Sequence, residues 1–155
     1  MRILFFILLS FSLNAQGIIL ETVNESLEIG TSTTAALDVQ INWVDVVSAT
    51  GATEGATETK IVTATTTTVT AAPIASTFRH IKSVSICNIS TTSANVVTVK
   101  KDVSATEYCL KSVTLSAGDN LSYEDGRGWK VYDATGREKV YLPQGSGYTG
   151  YSSTF

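Results

Sequence analysis

One histidine, two cysteines, two prolines and one methionine in 155 residues leave little from which to build an active site. His80 cannot by itself supply a catalytic triad, a multi-histidine zinc site or an imidazole acid/base pair. Flanked by Arg79 and Lys82 at a strand entrance, it reads as a surface or structural residue. There is no CxxC and no Cys/His cluster, so no zinc site is expected. Basic residues are also scarce: 11 Lys+Arg against 14 Asp+Glu give a net charge of −3. That balance argues against a nucleic-acid partner bound by phosphate neutralisation. Charged residues make up 16% of the chain, below the roughly 25% of an average globular protein. The hydrophobic share of 43% is too high for a disordered chain. No apolar run reaches the roughly 20 residues of a transmembrane helix, and helical periodicity is nearly absent.

Threonine, serine and valine fill the space, at more than a third of the chain. Thr and Val are β-branched and favour extended backbone. In residues 37–46, Leu37, Val39, Ile41 and Trp43 alternate with Asp38, Gln40 and Asn42, which predicts a half-buried strand. The alternation slips after Trp43, which predicts a bulge or a change of face. Asp38 and Asp45 read as its solvent side. Further strands are expected at residues 26–30, 60–72, 81–89, 95–103, 107–115, 121–124, 129–133 and 138–142. Residues 48–58, with the near-repeat Gly-Ala-Thr-Glu at 51–54 and 55–58, read as a polar loop. Turn chemistry punctuates residues 116–120 and 125–128. Eight or nine short strands with turns between them predict an all-β chain, an antiparallel, jelly-roll-like β-sandwich over residues 17–142. Trp43, Trp129, Tyr108 and Tyr123 are its large core candidates.

Residues 1–16, MRILFFILLSFSLNAQ, have the form of a secretory signal peptide, with Arg2 ahead of an apolar run and Ala15 as a cleavage position. The other reading is a retained apolar arm packed on a partner. Residues 143–155 form a Gly/Ser/Tyr-rich tail in which Tyr148, Tyr151 and Phe155 are candidate interface anchors. Cys87 and Cys109 permit one disulfide, although two small buried apolar residues is the favoured reading. Glu124 and Asp125, with Asp119 nearby, read as polar turn residues; neighbours on a strand point to opposite faces and cannot share an acid pair or a Ca²⁺ ion unless the turn bends them. Asn24, Asn88 and Asn120 each begin an Asn-x-Ser triplet, a frequent chance match in a Ser-rich chain. Gly126 and Gly128 make no phosphate loop, because no helix follows them.

Several segments share one running pattern: Ala72-Pro73 closing a Thr-rich strand, Ser76-Thr77-Phe78-Arg79, a strand ending at Asn88, and Val97-Thr98-Val99. Leu115 to Tyr123 and Gly128-Trp129 continue it, and Leu37 to Asp45 fits upstream. Over residues 26–136 this pattern resembles a module of bacteriophage virion proteins, the structural proteins of tail, neck or capsid. The resemblance implies a non-enzymatic virion component with no cofactor, metal, nucleic acid or small-molecule substrate. Its partners would be other virion proteins and further copies of itself. Flat, hydroxyl-rich sheet faces and edge strands suit such packing. The alternative is a secreted bacterial β-sandwich for adhesion or carbohydrate binding, which would need an exposed aromatic platform such as Trp129 with Tyr132.

Overall fold

The structure, a computed structural model, describes residues 17–47 and 51–140. Ten strands follow one another: β1 (Ile18–Leu20), β2 (Glu25–Thr31), β3 (Leu37–Val47), β4 (Gly51–Ile61), β5 (Thr66–Thr70), β6 (Thr77–Asn88), β7 (Asn95–Val103), β8 (Thr106–Leu115), β9 (Asn120–Glu124) and β10 (Gly128–Tyr132). One sheet has the order β10-β9-β6-β3-β4, with β1 also on β6, and the other the order β5-β2-β7-β8. Every pairing is antiparallel. The chain is an all-β sandwich, as its composition and strand spacing predict.

Strand alternation builds the core. Leu37, Val39 and Ile41 of β3 face inward beside Val84 and Ile86 of β6 and Leu121 and Tyr123 of β9. Leu27 and Ile29 of β2 and Val97 and Val99 of β7 meet them from the opposite sheet, and all of these side chains are buried. Removing any of the large aliphatic ones would cost roughly 2–5 kcal/mol. A bulge lies beside the slip expected after Trp43, but on the partner strand: Asn42 pairs with Ser83 and Trp43 with Ile81, so Lys82 of β6 is the extra residue, and β3 itself keeps its alternation.

Four sequence readings need correction. Residues 51–61 form the long edge strand β4 rather than a loop, because a strand with one unpaired edge and a mostly exposed surface needs no hydrophobic alternation. The stretch 60–72 is divided, with β4 ending at Ile61 and β5 starting at Thr66. The described part of residues 138–142 makes a single bridge, Tyr132 to Glu138, rather than a strand. Among the large core candidates, Tyr123 is buried, Trp43 and Trp129 are half-buried against the core, and Tyr108 is 55% exposed on edge strand β8.

The chain repeatedly crosses between sheets, and each crossing is tied by a side chain. Between β1 and β2, Glu25 accepts from the Glu21 amide at 2.7 Å, and its partner Lys101 donates to the Ile19 carbonyl at 2.8 Å. Between β2 and β3, Asn95 donates to the carbonyls of Thr33 and Ala35 and accepts from the amides of Ser32 and Thr33. Between β4 and β5, the Thr31 hydroxyl donates to the carbonyls of Thr63 and Thr65. Between β5 and β6, Arg79 donates to the Ala71 carbonyl at 2.9 Å. Asn88 serves two crossings at once: its side-chain amide donates to Ser93, Leu115 and Ser116 carbonyls at 2.9, 3.0 and 3.1 Å. Asp119, 2% exposed, accepts from the Ser116 amide and pairs with Lys139.

Two outcomes follow. Asn88→Ala removes three hydrogen bonds to carbonyls at the sandwich end and the acceptor of the Ser90 amide, although Ser116 keeps the Asp119 amide, and should lower the unfolding free energy by about 3 kcal/mol, measured by urea denaturation. Glu25 is governed by opposing effects. Burial pushes its carboxyl up, but the Lys101 and Glu21 hydrogen bonds and the Lys101 charge outweigh this and hold it below its ordinary value of 4.5. A carboxyl lowered in the folded state stabilises the fold above that ordinary value and stops doing so as pH falls through the lowered one. Glu25→Gln keeps an acceptor for the Glu21 amide and loses the charge. The variant should therefore lose less stability than the parent between neutral pH and acid, read as unfolding midpoint against pH.

Candidate interaction surface

Beyond Ile41 the first sheet changes character. On its inner side the ring of Trp43 lies across Gly55, where a Cβ would overlap it, and its indole N–H reaches the Thr57 hydroxyl at 3.4 Å. The Arg79 guanidinium stacks over that ring at 3.8 Å from the centroid. The same guanidinium clamps Asp45 with two bonds, Nε to Oδ1 at 2.7 Å and Nη2 to Oδ2 at 2.8 Å. The two side chains are only 12% and 15% exposed, so Asp45 is an inward ion-pair partner and not a solvent-side residue. The bulge explains the approach: it lets β3 and β6 continue beyond residue 42 with Trp43, Asp45, Ile81 and Arg79 all turned inward. A planar, bidentate, stacked cation is a role that lysine cannot fill.

This cluster joins β3 to β6 beneath the outer side that carries the largest apolar exposure on the sheet. Val46 pairs with Phe78, Val44 with His80, and His80 with Ile19 of β1. Phe78 is 45% and Val46 36% exposed, and Ile74 projects from the neighbouring crossing at 73%. His80 is a half-buried member of this row. Nearer the middle, the outer face becomes polar, with Asp38, Gln40, Asn42, Ser83, Ser85, Cys87 and Ser122 side by side. Asn42 bonds Ser83 and Asn120 bonds Ser85. The result is a flat face of hydroxyls and amides next to an apolar strip.

Few of the residues singled out from sequence converge. Cys87 is half-buried on the outer face of one sheet and Cys109 exposed on the outer face of the other, opposite Lys100. Both are free thiols, and their strands turn them to opposite sides of the sandwich, so neither the disulfide nor the buried pair is formed within the described chain. Burial first, then Asp38, pushes the Cys87 thiol up, which makes it a poor nucleophile. Glu124 pairs with Arg127 at 2.8 Å and Asp125 with Lys82 at 2.5 Å, so the adjacent carboxylates serve separate cations. Asn88 is 0% exposed and cannot accept a sugar in the folded chain. Trp129 packs inward on Tyr123, with ring centroids 4.9 Å apart, whereas Tyr132 lies three residues on and faces the other way. The expected Trp129–Tyr132 platform is thus not assembled. Tyr148, Tyr151 and Phe155 lie outside the described residues, as do residues 1–16. Among the described residues no group of three or more His, Cys, Asp or Glu side chains is placed to hold a metal ion.

Compared with protein-family models, with curated proteins and with solved structures, the chain matches none.

The clamp on Trp43 has a measurable signature. Arg79→Lys removes the second bond to Asp45 and the stacked plane, and should cost about 2 kcal/mol of unfolding free energy. Tryptophan emission should shift to the red as Trp43 gains water. An unchanged spectrum and midpoint would mean that the guanidinium does not hold the ring.

Proposed function

We propose that this chain is a non-enzymatic structural component of a bacteriophage virion, a capsid decoration, neck or tail protein that acts by packing against other virion proteins and copies of itself. The observation that carries the reading is the outer face of the first sheet: Phe78 and Val46 stand exposed on strands braced by the Arg79–Asp45–Trp43 cluster, beside a flat field of Asn, Ser and Gln. Exposed apolar groups on a sheet, rimmed by polar ones, suit a surface covered by protein. The resemblance over residues 26–136 points the same way. Contacts that are weak singly become strong when a symmetric particle repeats them. The secreted adhesion or carbohydrate-binding reading rests on residues 1–16 and finds no aromatic platform at Trp129 and Tyr132.

Mass spectrometry of purified phage particles from the source tests both readings. The expected result is this chain in many copies per particle, sedimenting with the virions. Its absence from particles, together with an exported form starting at Gln16 or Gly17, would overturn the virion role in favour of the secreted one.

A further inference from the structure

A sheet edge is a row of unpaired N–H and C=O groups, and proteins normally blunt such edges. Among the described residues, four of the five sheet edges are short or broken, the shortest being the three-residue β1. β5 and β10 have five residues each, and the β8 ladder slips at Val99/Lys100. The exception is β4. Its 11 residues contain no proline, pair with β3 without a slip from Leu37↔Ile61 to Val47↔Gly51, and are not paired on the other side by any described strand.

The charges on this edge have a pattern. Alternation puts Glu54, Ala56, Glu58 and Lys60 on the outer face, with Thr53, Gly55, Thr57 and Thr59 on the inner one. Glu54 has no hydrogen-bond or ion-pair partner among the described residues. Lys60 has only a loose one, Asp38 at 3.7 Å, with both side chains more than half exposed. Opposed to an antiparallel copy of itself with Thr57 on the two-fold axis, the strand sets Glu54 opposite Lys60 of the second copy, and symmetry repeats that pair. Moving the axis to Ala56 sets Glu54 opposite Glu58; moving it to Glu58 sets that carboxylate against itself. Like charges directly opposite each other are destabilising, so the sequence selects the Thr57 register over its neighbours. A second feature agrees. In this register Val62, 52% exposed just past β4, falls opposite Ala52 of the second copy. It then extends the outward Phe78–Val46–Ala52 row across the junction.

We propose that β4 pairs antiparallel with β4 of a second copy about a two-fold axis at Thr57, fusing the two six-stranded sheets into one. The inference deepens the packing role proposed above, and rests on that reading, by naming one of the surfaces through which copies join.

The test is the dissociation constant of the dimer formed by the full chain, measured by analytical ultracentrifugation over a concentration series. Each single reversal, Glu54→Lys or Lys60→Glu, replaces two attractive pairs with two repulsive ones and should weaken the dimer about tenfold or more. The double exchange, Glu54→Lys with Lys60→Glu, restores opposite charges and should bring the constant back to within about threefold of the parent. Tryptophan emission from Trp43, seated on Gly55, shows whether each variant keeps the β3–β4 hairpin. A monomeric parent, single reversals without effect in folded protein, or a double exchange that does not recover would each overturn the β4 contact. Finding the chain in purified particles while β4 variants assemble normally would leave the virion reading standing and remove this contact. A dimer governed by these charges in a chain absent from particles would do the reverse.

Discussion

Every time a chain passes from one sheet of a sandwich to the other, it leaves peptide groups that no ladder can satisfy. Burying them unpaired would cost about 1–3 kcal/mol each. This protein meets that constraint with side chains placed at the crossings: Glu25, Asn95, Thr31, Arg79, Asn88 and Asp119. Asn88 is central because it holds the β6–β7 and β8–β9 crossings together, and its own backbone joins in through Asp119 and Gly118. With the crossings fixed, the β2–β7 and β3–β6 ladders keep the registers that turn Leu27, Ile29, Ile41 and Val84 into one core.

Much of the fold could be read from sequence, and for a clear reason. Where a strand is covered on one face, as in residues 37–43, 83–88 and 95–99, the cover imposes a period of two. The bulge was only half legible: the apolar slip after Trp43 marks its place, but β3 keeps its alternation and the extra residue, Lys82, sits on β6. Strand β4 was not legible, because neither its edge nor its outer face imposes hydrophobicity; Gly55 is there to seat Trp43, not to form a turn. The β7–β8 hairpin turns on Ser104 and Ala105, both with positive φ, where Asn-Gly would have been the usual signal. Tyr108 misled because an aromatic on an edge strand satisfies β-propensity without being buried.

The interaction surface was less legible. Alternation says which residues share a face, but a partner strand in the same chain decides which face is covered. Asp45 looks like a solvent residue, but unbroken alternation turns it inward and the bulge at Lys82 brings Arg79 to it. The same alternation leaves Val46 outward, and the bulge sets Phe78 beside it. The near-repeat Gly-Ala-Thr-Glu also gains a reason, since a four-residue unit on a strand returns to the same face. It therefore places Gly51 and Gly55 inward and Glu54 and Glu58 outward.

The chemistry of the crossing ties sets how the molecule responds to ionic strength. Asn88, Asn95 and Thr31 hold their crossings with neutral groups, which counter-ions do not screen. The charged ties at Arg79–Asp45 and Glu25–Lys101 are mostly shielded from solvent, where screening is weak. The exposed pairs, such as Lys60–Asp38 and Arg127–Glu124, contribute little to begin with. Salt would therefore act on the proposed β4–β4 contact, through Glu54 and Lys60 on an open edge, and hardly at all on whether each copy stays folded.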